Sequence, residues 1–187
     1  MCTKVYINNI SFPSSLEELF NRINKFNTMD MEDVLASRPV EWSVPKYAKA
    51  GELIFFMHAK TANAKISILE RKHNNKNEKI DKVLLKAKEI YKKYGGKIFA
   101  VGFISENPKF YNYPFDYDVH FKSKYFSTIT AIFVLDNPID ISEFKSFIKV
   151  SQFGSITVLN NEKFQKLREL ILLKNEVPNY FKTYKLK

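Results

Sequence analysis

A chain of 187 residues suits one ordinary domain, which can bury roughly two thirds of its unfolded surface and needs no covalent staple. With 45% apolar and 15% aromatic residues it is not disordered as a whole, and a single cysteine, Cys2, excludes an intramolecular disulfide and a thiolate metal cage. Thirty Lys and Arg against 20 Asp and Glu leave a charge of +10 and a pI near 9.5, which favours polyanionic partners because each neutralised phosphate releases condensed counterions.

In chain order, residues 3–8 read as a short strand. Ser15-Leu16-Glu17-Glu18 forms a capping box that opens a helix with Leu16, Leu19, Phe20, Ile23 and Phe26 at helical spacing. A polar stretch with Pro39 and Pro45 follows and holds the only tryptophan, Trp42. Residues 52–58 then form a compact strand of large apolar residues. Residues 60–78 are less orderly, broken at Asn74-Asn75-Lys76-Asn77. From Ile80 a helical pattern returns at Val83, Leu84, Ala87, Ile90, Tyr91 and Tyr94, and Gly95-Gly96 stops it.

A strand is expected over 97–104, then an aromatic segment rich in turn residues from 105 to 121. A longer strand over 125–135 is expected to end at Asp136-Asn137-Pro138. Asp140 with Glu143 can cap a short helix reaching residue 150. Residues 154–159 read as extended, and Asn161 begins a last helix bearing Phe164, Leu167, Leu170 and Ile171. These elements predict an α+β fold, a small mixed sheet flanked by helices. One domain over 1–187 is expected, with a helical insertion near 60–95. The N-terminus lacks an apolar signal core, and the longest apolar run, Leu53-Ile54-Phe55-Phe56-Met57, is too short to span a bilayer. A soluble, cytoplasmic protein that binds no membrane is expected.

Catalytic patterns are weak. His58, His73 and His120 are scattered, so no metal site and no cofactor are expected. None of the five glycines builds a phosphate loop, and no serine sits in a nucleophile elbow. Two Glu-x-Lys elements, Glu70-Arg71-Lys72 and Glu143-Phe144-Lys145, match part of a metal-dependent nuclease site, with Asp116 or Asp118 as the upstream acid. Both lie in helical patterns, where positions i and i+2 point in different directions, so they read as solvated surface. The chain is therefore read as no enzyme, with a small metal-dependent nuclease as the alternative and a protein-binding structural domain third.

The aromatic segment Phe110-Tyr111-Asn112-Tyr113-Pro114-Phe115-Asp116-Tyr117, followed by Phe121, offers rings for base stacking, each worth about 1–3 kcal/mol beside a basic surface. Rings in loops also cover cores, and that reading stands beside the first.

Glu41-Trp42-Ser43-Val44-Pro45 and residues 49–58, with Gly51-Glu52 before an apolar strand, resemble the tryptophan segment and following strand of PUA-like domains of the EVE and YTH type. Residues 97–104, 130–139 and 154–159 are similar to later strands of that family, in matching order. The resemblance implies a curved mixed sheet near a barrel, and a domain that captures one flipped base in an aromatic cage. It implies that Trp42 is one wall and that Ser43 hydrogen-bonds the base. The second wall would come from Tyr111, Tyr113, Phe115, Tyr117 or Phe121. The second tryptophan of YTH domains is lacking, so a Tyr or Phe must replace it. EVE-like domains also occur at the N-terminus of McrB-type restriction subunits. The expectation is thus the specificity domain of a methylation-dependent restriction system, reading N6-methyladenine in DNA, with 5-methylcytosine next and RNA third. A separate motor or nuclease subunit or domain would do the cutting.

Overall fold

Strands β1 (Val5–Ile10) and β3 (Leu53–His58) are buried at every residue, which requires apolar cover on both faces of the sheet they share. The computed structural model describes residues 3–19, 30–73, 78–111, 124–150 and 156–186, with the backbone alone for 30–32. The other strands are β2 (Val40–Ser43), β4 (Lys97–Ile104), β5 (Lys109–Phe110), β6 (Tyr125–Asp140) and β7 (Ile156–Leu159). The helices are α1 (Asp30–Leu35), α2 (Ala62–His73), α3 (Glu78–Tyr94), α4 (Ile141–Phe144), α5 (Asn161–Lys174) and α6 (Asn179–Lys182).

The expected α+β class holds. The strands form one mixed sheet ordered β2-β6-β4-β3-β1-β7, curled into a half-barrel, with β5 paired beside β6. Only β1 and β3 run parallel; the other neighbours are antiparallel.

Alternation along the strands sorts the core into two clusters. Tyr6, Ile54, Phe56 and Phe99 face α2 and α3, which contribute Ala62, Ile66, Leu69, Ile80, Leu84, Ala87 and Tyr91. Val5, Ile7, Phe55, Met57 and Val101 face α4 to α6, which contribute Phe144, Phe164, Leu167, Ile171 and Phe181. The helices near 60–95 are thus one of the two covers of the sheet. Helix α2 falls where the sequence reads as less orderly. Its buried face is a thin stripe of Ala62, Ile66, Leu69 and His73, a weak periodic signal.

The curl has an identifiable source. Val101 pairs with Phe133 and Phe103 with Thr130, so β6 carries one residue more than β4 there, and Ala131 takes φ 47° at the bulge. Opposite it stands Gly102. A Cβ at that position would lie 2.5 Å from Ile129 Cγ2 and 3.1 Å from Ile132 Cγ1, so any larger residue would have to displace these two core side chains.

Several boundaries differ from expectation. Strand β6 does not end at Asp136-Asn137-Pro138 but resumes, pairing Ile139 with Ile98 and Asp140 with Lys97. The three turn residues step out of the ladder and are clamped by the end of α5. There Asn137 N–H donates to Asn175 Oδ1 at 2.8 Å, and Asn137 Nδ2 donates to the Lys174 carbonyl at 2.8 Å. The capping box at Asp140 and Glu143 forms, although α4 stops at Phe144. At Ser15 the cap bond forms as well, Glu18 N–H donating to Ser15 Oγ, and the Glu18 carboxylate accepts from the N–H of Ser14, one residue before the cap. Leu16 and Leu19 fall in its helical turn, whereas Phe20, Ile23 and Phe26 lie outside the described residues.

Candidate nucleic-acid interface

The first residues of β6 are flanked on both sides. Strand β2 pairs there with Trp42 opposite Ser127 and Ser43 opposite Phe126, and Val44 N–H continues the ladder to the Tyr125 carbonyl at 2.9 Å. On the other side β5 places Lys109 opposite Phe126 and Phe110 opposite Tyr125, and Tyr111 N–H donates to the Lys124 carbonyl at 2.9 Å. Two inter-strand spacings, about 10 Å, therefore separate the Trp42-Ser43 pair from Tyr111. These are the two segments from which the resemblance builds its cage. Tyr113, Phe115, Tyr117 and Phe121 lie outside the described residues.

Pairing also fixes which side chains share a face, because residues directly opposite in an antiparallel ladder point the same way. Ser43, Phe126, Lys109 and Tyr111 fall on one face, where the Tyr111 and Phe126 rings meet edge to face at 5.7 Å. Trp42, Ser127, Tyr125 and Phe110 fall on the other. Trp42 is only 7% exposed and packs edge-on to Phe56 at 5.1 Å, inside the cluster covered by α2 and α3. Neighbouring strand residues cannot both line one face, so Trp42 and Ser43 diverge.

Four residues complete this rim, of which Phe110 was named with the aromatic segment while Lys109, Tyr125 and Phe126 escaped the sequence reading. Phe110 is 55% exposed and tilts against Tyr125 at 5.3 Å. Exposed Lys109 pairs with Glu106 at 2.7 Å, and that hydrogen bond raises its pKa, holding it charged. Phe126 makes the fourth. Their signal was available, since Tyr125-Phe126 closes the aromatic stretch that Lys109-Phe110 opens.

The segment after β2 abuts the same rim. Gly51 N–H donates to the Ile104 carbonyl at 2.8 Å and Ala50 N–H to Asn107 Oδ1 at 3.3 Å. Gly51 adopts φ +84°, which explains a glycine here. The adjacent Glu52 is 2% exposed and accepts three hydrogen bonds, from Tyr6 Oη at 2.6 Å and from the Lys4 and Lys49 N–H groups at 2.8 Å each. The Gly51-Glu52 pair thus ties the loop of exposed Lys46, Tyr47 and Lys49 to β1.

Burial first, and then the bond to Glu52, raises the pKa of Tyr6 well above that of free tyrosine. Burial, and then the charge of Glu52, pushes Tyr184 up to about 12. Both folded values exceed the unfolded value near 10, so their stability contribution is complete below about pH 10 and is lost as pH rises through the folded values. Unfolding free energies from urea denaturation between pH 9 and pH 12 should fall, above about pH 10, by about 1.4 kcal/mol per pH unit for each tyrosine that titrates late. Tyr6→Phe should flatten that slope by one tyrosine's share. An unchanged slope would mean that Tyr6 does not titrate late.

Both glutamates of the Glu-x-Lys elements hold lysine partners, and Asp116, Asp118 and His120 lie outside the described residues. Glu143 completes the α4 cap and pairs with Lys174, which lowers its pKa, and Glu70 pairs with Lys88 at 3.1 Å. His58 packs on Tyr91 with ring centres 3.8 Å apart, and His73 lies 3.3 Å from Asp81. Among the described residues no group of three or more His, Cys, Asp or Glu gathers as for a metal ion, and no helix is long and apolar enough to cross a membrane.

The fold and rim define an α+β protein whose curled mixed half-barrel brings an aromatic, lysine-bearing edge together at the start of one strand. No protein-family model matches the chain, and no curated protein matches it. Among solved structures it is similar to the NMR structure of Rpa0253 from Rhodopseudomonas palustris. The identity is 12%, over 93% of this chain and 97% of that one, with a TM-score of 0.40.

Proposed function

We propose that this chain is a nucleic-acid-binding domain of the PUA-like, EVE or YTH type that reads a modified base at the start of β6. The leading substrate is DNA carrying N6-methyladenine, with 5-methylcytosine next and RNA third. The observation that carries the reading is that the pairing sets Ser43, itself 6% exposed, and Tyr111 on one face across β6, about 10 Å apart and from segments far apart in sequence. Phe126 lies between them and Lys109 beside them. A hydroxyl and two rings on one face supply what base capture needs, a polar group for the base edge and surfaces for stacking. Trp42 then holds β2 in place from behind the sheet. The domain acts with a motor or nuclease subunit or domain and does no cutting itself.

Burying one methyl group contributes only about 0.8 kcal/mol, roughly fourfold in affinity. A stronger preference requires a pocket that leaves the extra N–H of an unmethylated amino group buried and unpaired. Fluorescence anisotropy with matched duplexes differing by one methyl group, and with RNA counterparts, tests this. We expect a methyl preference above about fourfold for one modification, reduced towards that figure by Tyr111→Ala or Phe126→Ala. With magnesium present no cleavage should occur. Equal affinity across all modifications would reduce the protein to a binder that does not read methylation, and absence of binding at low salt would sink the reading altogether.

A further inference from the structure

The positive charge of this protein is not spread over its surface. Residues 60–97 hold twelve of the 30 Lys and Arg but four of the 20 Asp and Glu, and so eight of the ten net charges. The rest of the chain is nearly balanced. A general preference for lysine in the composition would have raised the whole sequence alike. Most of the excess belongs to the α2–α3 hairpin, the cover of one sheet face, whose residues 62–94 hold ten Lys and Arg against four Asp and Glu.

Helix α3 arranges part of it in a line. At 100° per residue, Lys79, Lys82, Lys86 and Lys93 fall within an arc of about 60°, along about 21 Å of helix. All four are exposed, and the stripe lies away from the buried face of Ile80, Leu84, Ala87, Tyr91 and Tyr94. Exposed Arg71 and Lys72 end the adjoining helix α2, and the Lys88–Glu70 pair joins the two helices.

We infer that the exposed lysine stripe of α3, with the basic end of α2, is the surface that grips the phosphodiester backbone of a nucleic acid. The occupant is a polyanion of regular linear charge, because a straight line of lysines matches a row of phosphates. An anionic membrane is the poorer match. A basic helix binds a bilayer through its own apolar face, and that face of α3 is spent on the core. The base-reading rim lies on other strands, so backbone grip and base reading occupy separate surfaces. The inference rests on the nucleic-acid reading above but not on methyl recognition.

The test is the salt dependence of binding to a 20-base-pair duplex, with and without one methyl group. The chain carrying Lys79→Gln, Lys82→Gln, Lys86→Gln and Lys93→Gln is compared with one carrying Lys145→Gln, Lys149→Gln, Lys166→Gln and Lys182→Gln on the opposite cover. The Lys82–Glu78 pair is exposed, and glutamine suits a helix as well as lysine does, so thermal melts should be unchanged. Each phosphate contact contributes about 0.9 to the slope of log affinity against log salt. The α3 variant, with four lysines removed, should lose about 3.6 from that slope, and at least about tenfold in affinity at 0.15 M salt, equally for both duplexes. The control variant should keep the wild-type slope. An unchanged slope in the α3 variant, or an equal loss in both variants, would overturn the inference while leaving any methyl preference intact. The expected slope change with no methyl preference would support it and defeat the base-reading proposal instead. A sedimentation arm uses vesicles containing phosphatidylserine. Vesicle binding lost in the α3 variant, with no duplex binding by the wild type, would reassign the stripe to membranes.

Discussion

Trp42→Ala should lower stability by about 3–5 kcal/mol, the cost of truncating a buried tryptophan. At 7% exposure the ring has little surface left for a ligand, and its edge-on contact with Phe56 anchors β2 to the sheet. In a domain of this length such a loss lowers the melting temperature by about 6–20 °C. Trp42→Phe keeps a ring for Phe56 and should recover part of the loss. Calorimetric melts of both variants decide the matter. A melting temperature unmoved by Trp42→Ala, together with lost binding, would return the indole to the base-binding site as a cage wall.

The second large effect is expected at Glu52, where Glu52→Ala should cost about 3 kcal/mol or more. The substitution removes the acceptor of three donors, the buried Tyr6 hydroxyl and the half-buried N–H groups of Lys4 and Lys49, and a buried donor left unpaired costs about 1–3 kcal/mol. Glu52→Gln retains one carbonyl and should fall between the two. The Tyr6 hydroxyl donates to the same carboxylate, so the pair is coupled. Tyr6→Phe alone should cost about 1.5–3 kcal/mol, the range for hydrogen bonds to charged groups, and much less once Glu52 is alanine. A double-mutant cycle by urea denaturation reads this directly. Strict additivity would contradict the hydrogen-bonded knot drawn at this point.

The reach of the sequence is clearest where a local rule acts alone. The caps at Ser15 and Asp140, the β3 run Leu53-Ile54-Phe55-Phe56-Met57 and the stop at Gly95-Gly96 need only near neighbours. Each was legible. The α+β class followed from the alternation of such elements. Strand β2 was not, because Val40 to Ser43 is short and set between Pro39 and Pro45, and only pairing with β6 makes it a strand. The continuation of β6 past Pro138 was hidden likewise, since α5 supplies the bonds that hold its turn residues aside.

The candidate site divides in the same way. Composition alone made a polyanionic partner the expectation, because charge is a property of the chain as written, and only the resemblance to PUA-like domains implied that Trp42, Ser43 and an aromatic segment belong together. Tertiary structure decided which of them share a surface. Directly paired strand residues point to one face and sequence neighbours to opposite faces, so Ser43 joins Phe126 and Tyr111 while Trp42 turns into the core. Packing against the sheet likewise buries one side of α3 and leaves its lysine stripe outside. Facing and burial are set by contacts between residues distant in the chain, and periodicity can propose such faces but only the folded sheet selects among them.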